Sequence, residues 1–260
     1  MRAYYSGNTF STENIWFESF DSCDELKKTE TSADTVRVYA NPTEITGKNV
    51  VSQKQYTVIS DIAGKSDEEL MKGFPSNLRN EIRRAERENT VSRIYSSEDI
   101  LKDSSVLDRM ADFYTNMYKE KGMDGVTLPI GELLSYARNG ALVISTASIE
   151  GAETVFHSYV ASGKNTRLLH SCSEFRVADN AMRNAIGRAN KFLHFEDMRY
   201  FRDLGADIYD WGGLSSAEEP NGIDKFKLGF GGEMIFYYNV VFTRSLKKRI
   251  FDKIKNKKIK

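Results

Sequence analysis

The sequence predicts an α/β (α+β) fold, a mixed sheet flanked by helices, on three observations. In the second half, segments of strand and helix character follow in the order strands, helix, strand, helix, strand. Three strand runs, "ALVISTASIE", "ETVFHSYVAS" and "TRLLHSC", are joined by glycine-containing turns, which reads as an antiparallel meander. Several other segments carry apolar residues at helical spacing.

Taken in order, residues 1–65 hold strand-like runs in "TVRVYA" and "QYTVISDI", with a polar loop at 27–34. "SDEELMKGF" opens with a capping box, Ser66 capping while Glu69 reaches back. Pro75 breaks that helix, and a second runs from about Ser76 to Asn89 with Leu78, Ile82 and Ala85 as its buried stripe. Arg79, Arg83 and Arg87 repeat every four residues on another face, either a solvated ridge paired with Glu86 and Glu88 or an anion-facing one. "SVLDRMADFYTNMYKEKGM" is amphipathic, with Val106, Met110, Phe113 and Met117 as core candidates. "PIGELLSYARNG" is a shorter helix with Gly140 suited to its C-cap.

In the meander's last hairpin, a two-residue loop at Gly163-Lys164 sets His157 opposite His170, and a three-residue loop sets them on opposite faces. The clearest helix after it is expected to start near Asn190 and stop at Gly205. Its apolar side carries Leu193, Met198, Tyr200, Phe201 and Leu204, and also His194 and Asp197. Two polar groups there need partners, each other or a substrate cleft. "ADIYDWGG" reads as a short strand, residues 222–228 as a short helix and 233–243 as a strand.

Composition narrows the class. The 260 residues are 40% apolar and 28% charged, which suits an ordered globule. No run approaches a membrane span of about 20 apolar residues, and the start "MRAYYSGNTF" lacks a signal-peptide core. Two cysteines without a CxxC pair fit a reducing cytoplasm, and neither they nor the three histidines have metal-ligand spacing, so no metal is expected. Net charge is zero, yet residues 244–260 hold nine Lys/Arg against Asp252, a net of +8, so the remainder carries −8. Such a tail points to a membrane surface or nucleic acid, with a solvated, frayed end as the plain alternative.

No P-loop, no strand–GxGxxG–helix unit and no GxSxG elbow occur. The phosphate candidate is the expected helix start at Asn184–Ala189, with Gly187 and Ala189 allowing close approach and Arg188 adding charge. Lys225 and Lys227 beside Gly229, Gly231 and Gly232 offer side-chain cations next to a turn.

"GRANKFLHFEDMRYFRDLGADIYDWGG" followed by "GIDKFKLGFGGEMI" resembles the GNAT-type acyltransferases of the FemAB branch, relatives of peptidoglycan aminoacyltransferases and envelope-polysaccharide acetyltransferases. The resemblance covers roughly residues 55–243 and is specific at 186–232. Two features depart from it: Asn184 stands where Gln or Arg is usual, and "SEFRVADNAMR" is interposed before the loop. The resemblance implies a partial GNAT-like lobe at 1–100, a GNAT-like acyltransferase domain at 101–243 and a basic tail at 244–260. It also implies acyl transfer to an amine. Gly187, Arg188, Ala189 and Asn190 would then bind the donor's phosphates, and Lys225 and Lys227 would bind donor or substrate phosphates, with Arg79 and Arg83 as further substrate contacts. Asp210, with His194, is the expected base region.

Three functions follow. The first is an acyl-CoA-dependent N-acyltransferase acting on a small or lipid-linked envelope precursor such as an amino sugar, without a metal. The second is an aminoacyl-tRNA-dependent transferase, with the tail and the arginine ridge touching RNA. The third is a non-catalytic GNAT-like binding module. The expected place is the cytoplasm, with the tail able to hold the chain at the inner membrane face.

Overall fold

The computed structural model describes residues 1–174 and 179–258. Residues 175–178 of the interposed "SEFRVADNAMR" and the last two residues of the tail lie outside the described residues. The first half runs β1 (Arg2–Ser6), β2 (Ser11–Trp16), α1 (Cys23–Lys27), β3 (Thr35–Asn41), β4 (Val50–Asp61), α2 (Asp67–Lys72), α3 (Ser76–Arg87), β5 (Val91–Tyr95), α4 (Ser97–Lys102) and α5 (Ser105–Lys119). The second runs α6 (Ile130–Arg138), β6 (Leu142–Ile149), β7 (Ala152–Ser162), β8 (Asn165–Ser173), α7 (Asn180–Asp203), β9 (Ile208–Gly213), α8 (Gly222–Leu228), β10 (Glu233–Thr243) and α9 (Leu246–Lys258).

The chain forms two compact units, Met1–Thr57 with Ile235–Lys260, and Val58–Met234. The expected boundary at 100 falls within α4 of the second unit, and that at 243 at the end of β10 in the first.

In the first unit β1 and β2 are antiparallel, β2 and β3 parallel, and β3 and β10 antiparallel. Alternation along β3 turns Val36 and Val38 into a core with Ile15, Leu26, Ile45 and Val240. Buried Asn41 closes the loop before α1 by accepting from Phe20 N and donating to Phe20 O, both at 2.9 Å.

In the second unit the strand order is β9-β8-β7-β6-β5. The meander is antiparallel as expected, and β9 joins β8 in parallel, so the α/β fold with a mixed sheet is found. The Ser66–Glu69 capping box forms at α2, and Leu78, Ile82 and Ala85 are the buried residues of α3. Gly140 sits just past α6 with φ +68, the left-handed position that favours glycine.

Strand alternation sorts side chains between two helices. Val155 packs with Ile186, Ala189 and Leu193 of α7. Its neighbour Phe156 faces the other way and meets Phe113 of α5 at 4.7 Å. The hairpin loop is the two-residue one, with Ser162 paired to Asn165. His157 is nonetheless opposite Ser171, not His170, because a bulge shifts the register between Ser158 and Tyr159. The one extra residue puts the two histidines on opposite faces: His157 meets α7, and His170 meets Tyr114 of α5 at 5.4 Å.

Helix α7 corrects the expectation most. It starts at Asn180, ten residues before the expected start, where the Asp179 side chain caps it by accepting Met182 N–H at 2.8 Å. Gly187 to Asn190 therefore lie about two turns inside the helix, where backbone N–H groups are bonded to carbonyls four residues back. They are no free anion cradle.

Candidate functional site

The β8–β9 ladder runs from Asn165↔Ile208 to Arg167↔Asp210. Two residues beyond Asp210, Gly212 has φ +77, and a Cβ there would meet Leu168 O at 2.7 Å, so this close approach of β9 to β8 requires glycine. Beyond this point the remainder of β8 lines a cavity of about 430 Å³ together with α7, α8 and the end of α5. Its chemistry comes from Ser171, Asn190, Lys191, His194 and Lys227, set among apolar side chains such as Phe226.

Behind the cavity wall lies a buried polar chain. His157 Nδ1 is 2.8 Å from Asp197 Oδ2, and its Nε2 is 2.8 Å from the Asn190 amide. Tyr159 OH reaches the same Asp197 oxygen at 2.6 Å, Tyr209 OH is 2.7 Å from Tyr159 OH, and His194 Nδ1 is 2.8 Å from Tyr209 OH. One assignment of protons satisfies this run. A carboxylate only accepts, so Tyr159 donates to Asp197. Tyr159 has no second proton, so Tyr209 must donate to Tyr159. Tyr209 is then spent as a donor, so His194 Nδ1–H donates to Tyr209. The other ring nitrogen of His194, Nε2, carries a lone pair and no proton.

Electrostatics agree. Burial, then the neighbouring His157 and the Lys227 cation, hold His194 well below the usual histidine range, so it is neutral. Lys227 donates to Gly213 O at 2.7 Å, and burial, then Arg167, lower its pKa to about 8 against the opposing pull of Asp210 and Asp224. Cys172 also lines the cavity, but burial pushes its thiol up to about 12, which removes it as a nucleophile near neutral pH.

The other expected site residues divide. Asp210 does not line the cavity. Its carboxylate is held by Arg167 and by Gly212 N–H at 2.8 Å. Arg188 is spent on Glu88, the residue that caps the end of α3, at 2.8 and 3.0 Å, and Ala189 is buried against the sheet. Gly187 and Asn190 do reach the cavity. Lys225 lines a smaller neighbouring depression with Glu81 and Lys191. Arg79 and Arg83 line a separate groove with Phe195 and Arg199, sharing no residue with the cavity. The glycines after Lys227 serve geometry: Gly231 has φ +79, and a Cβ on Gly232 would meet Ile59 O at 2.5 Å.

His194 and Asp197, expected to satisfy each other or face a cleft, do neither as a pair: each bonds a different tyrosine. Tyr159 and Tyr209 were missed because a tyrosine in a strand carries no sign of where its hydroxyl ends. The only signal was the His194/Asp197 spacing on an apolar face, which demanded partners without naming them. His157, His194 and Asp197 present ligand atoms within 4.8 Å of one another. However, the two imidazoles stack at 4.1 Å and 27°, so an ion between them could not lie in both ring planes, where the nitrogen lone pairs point.

No protein family model matches the sequence, and neither does any curated protein. Among solved structures, FemX superposes with a TM-score of 0.60 at 14% identity, covering 97% of this chain and 86% of that one. The C-terminal domain of a putative lysylphosphatidylglycerol synthetase from Agrobacterium fabrum gives 0.53 at 12% identity, covering 92% and 79%. L-PGS from Bacillus licheniformis gives 0.51 at 14%, covering 96% and 83%. The chain thus has the fold of FemX.

Proposed function

We propose that the second unit is an acyltransferase that moves an aminoacyl group from an activated ester, such as aminoacyl-tRNA, to an amine on a cell-envelope precursor. The observation that carries this reading is His194, a neutral imidazole on the cavity wall whose proton is committed to Tyr209 and whose Nε2 is open to accept another. Acyl transfer to an amine needs that acceptor. As the amine nitrogen bonds the ester carbonyl carbon, its proton passes to Nε2. The His194 Nδ1 proton can move toward Tyr209, and in turn Tyr159 and Asp197, which spreads the positive charge. Collapse of the tetrahedral species breaks the carbon–oxygen bond, and His194 returns the proton to the leaving oxygen. Lys227, an ammonium below about pH 8 that also lines the cavity, would donate to the carbonyl oxygen as it becomes negative.

The choice of donor rests on two supports. The likeness to FemX and to proteins named as lysylphosphatidylglycerol synthetases favours an aminoacyl group. In addition, Gly187–Asn190 lie inside α7, which takes away the backbone cradle that would have favoured coenzyme A there.

The test is to offer the protein total aminoacyl-tRNA and acetyl-CoA separately, each with an extract of envelope precursors, and follow labelled acyl group into product. Transfer from aminoacyl-tRNA is the expected result. Transfer from acetyl-CoA alone would replace this reading with the acyl-CoA one. Binding and transfer of neither would leave the non-catalytic module.

A further inference from the structure

Helix α9 is built the wrong way round for a helix that belongs to a globule. A surface helix normally turns its apolar stripe to the core and its charges to water. Among the described side chains of α9 the half-buried ones are Lys248, Arg249 and Asp252, and Lys248 pairs with Asp252. The helix is held on its own unit at the edge of this face, where Phe251 meets Phe10 at 5.1 Å and Lys248 lies 5.3 Å from the Phe10 ring centre. At about 100° per residue, Leu246, Ile250 and Ile254 fall within an arc of about 80° on the opposite side. They are 64%, 51% and 53% exposed. Exposed Lys247 and Lys253 lie within or beside that stripe.

We propose that α9 is an interfacial anchor that lays Leu246, Ile250 and Ile254 into the surface of a bilayer with anionic headgroups. Charge selects this occupant. Residues 244–260 carry a net +8, so a second copy of the chain would bring like charges together around the stripe. A nucleic acid would suit the lysines and leave three exposed aliphatic side chains with nothing to bury them. An anionic bilayer takes both: aliphatic residues enter the headgroup boundary while lysines on their long stems reach the phosphates. The helix lies on such a surface and does not cross it, since no described helix is long and apolar enough to span. This inference stands apart from the acyl-transfer reading, and either can fail alone.

The experiment is co-sedimentation of the full chain with vesicles of phosphatidylcholine alone or with phosphatidylglycerol added, at low and high salt. The wild type should partition onto the phosphatidylglycerol vesicles and be partly released by salt. The triple variant Leu246→Ser, Ile250→Ser, Ile254→Ser should lose about tenfold or more of that binding, and Lys247→Gln with Lys253→Gln a smaller part. These substitutions are on water-facing positions, so the thermal midpoint should hold, and a retained midpoint is the check on folding. Equal binding by the triple variant would overturn the anchor, as would no binding by the wild type. So would a wild-type dimer in sedimentation analysis that the triple variant abolishes, because the stripe would then be covered by a second copy.

Discussion

Two buried polar clusters in the second unit contain similar groups and end differently. Around Asp210 the bonding closes on itself: Arg167 takes one carboxylate oxygen and Gly212 N–H the other. Around His194 the donors all run one way, from His194 Nδ1–H through Tyr209 and Tyr159 to Asp197, which leaves the other ring nitrogen, Nε2, without a proton. A closed cluster holds strands together. An open one at a cavity can take up a proton. Residue type does not separate an acid held in a closed pair from the base proposed above; the unspent lone pair does.

Breaking each cluster should therefore read out differently. His194→Gln should lower kcat by about 10²–10⁴-fold, the usual loss for a general base, while the urea midpoint moves little by comparison. A near-normal rate would remove His194 from the mechanism. Asp210→Ala should instead act on folding. It leaves Arg167 buried without its carboxylate, a loss of about 3–5 kcal/mol in urea unfolding, while the folded fraction keeps a rate near that of the wild type. A large rate loss in correctly folded Asp210→Ala would restore Asp210 as the base.

The smallest effect is on pH. Burial lowers the folded pKa of Lys227 to about 8 from 10.5, so its ammonium is lost as pH rises through about 8. If that charge steadies the oxyanion, kcat/KM should fall with rising pH above about 8. In Lys227→Arg, whose guanidinium stays charged, the fall should move to higher pH. An unchanged alkaline limb in this variant would assign it to another group.

How much of this was legible depended on how local the cause was. The capping box at Ser66, the stripe of α3 and the meander all arise from residues within a few positions of one another, and all are found. The helix start was misplaced because the cap, Asp179, stands fourteen residues upstream of Leu193, where the apolar pattern that identified the helix begins. The first two turns of α7 are mostly exposed, so they carried no periodicity to read. His194 stood out as a polar residue on an apolar face; its partner tyrosine comes from a strand fifteen residues away.

The sequence by itself determined the capping box at Ser66, the buried stripe of α3, the strands of the meander, and the cationic, aliphatic composition of α9. Those follow from backbone sterics, side-chain periodicity and formal charge, none of which needs a neighbour distant in the chain. Tertiary structure alone decided which polar groups have a valence left. One bulged residue in β8 sends His157 and His170 to opposite faces. Parallel pairing of β8 with β9 accompanies an Asp210 held by Arg167. The docking of α7 on the sheet brings His194 onto Tyr209. A hydrogen bond saturates its donor, so the proton's place on His194 is set by the whole run of partners, and that run exists only once the strands and helix have met.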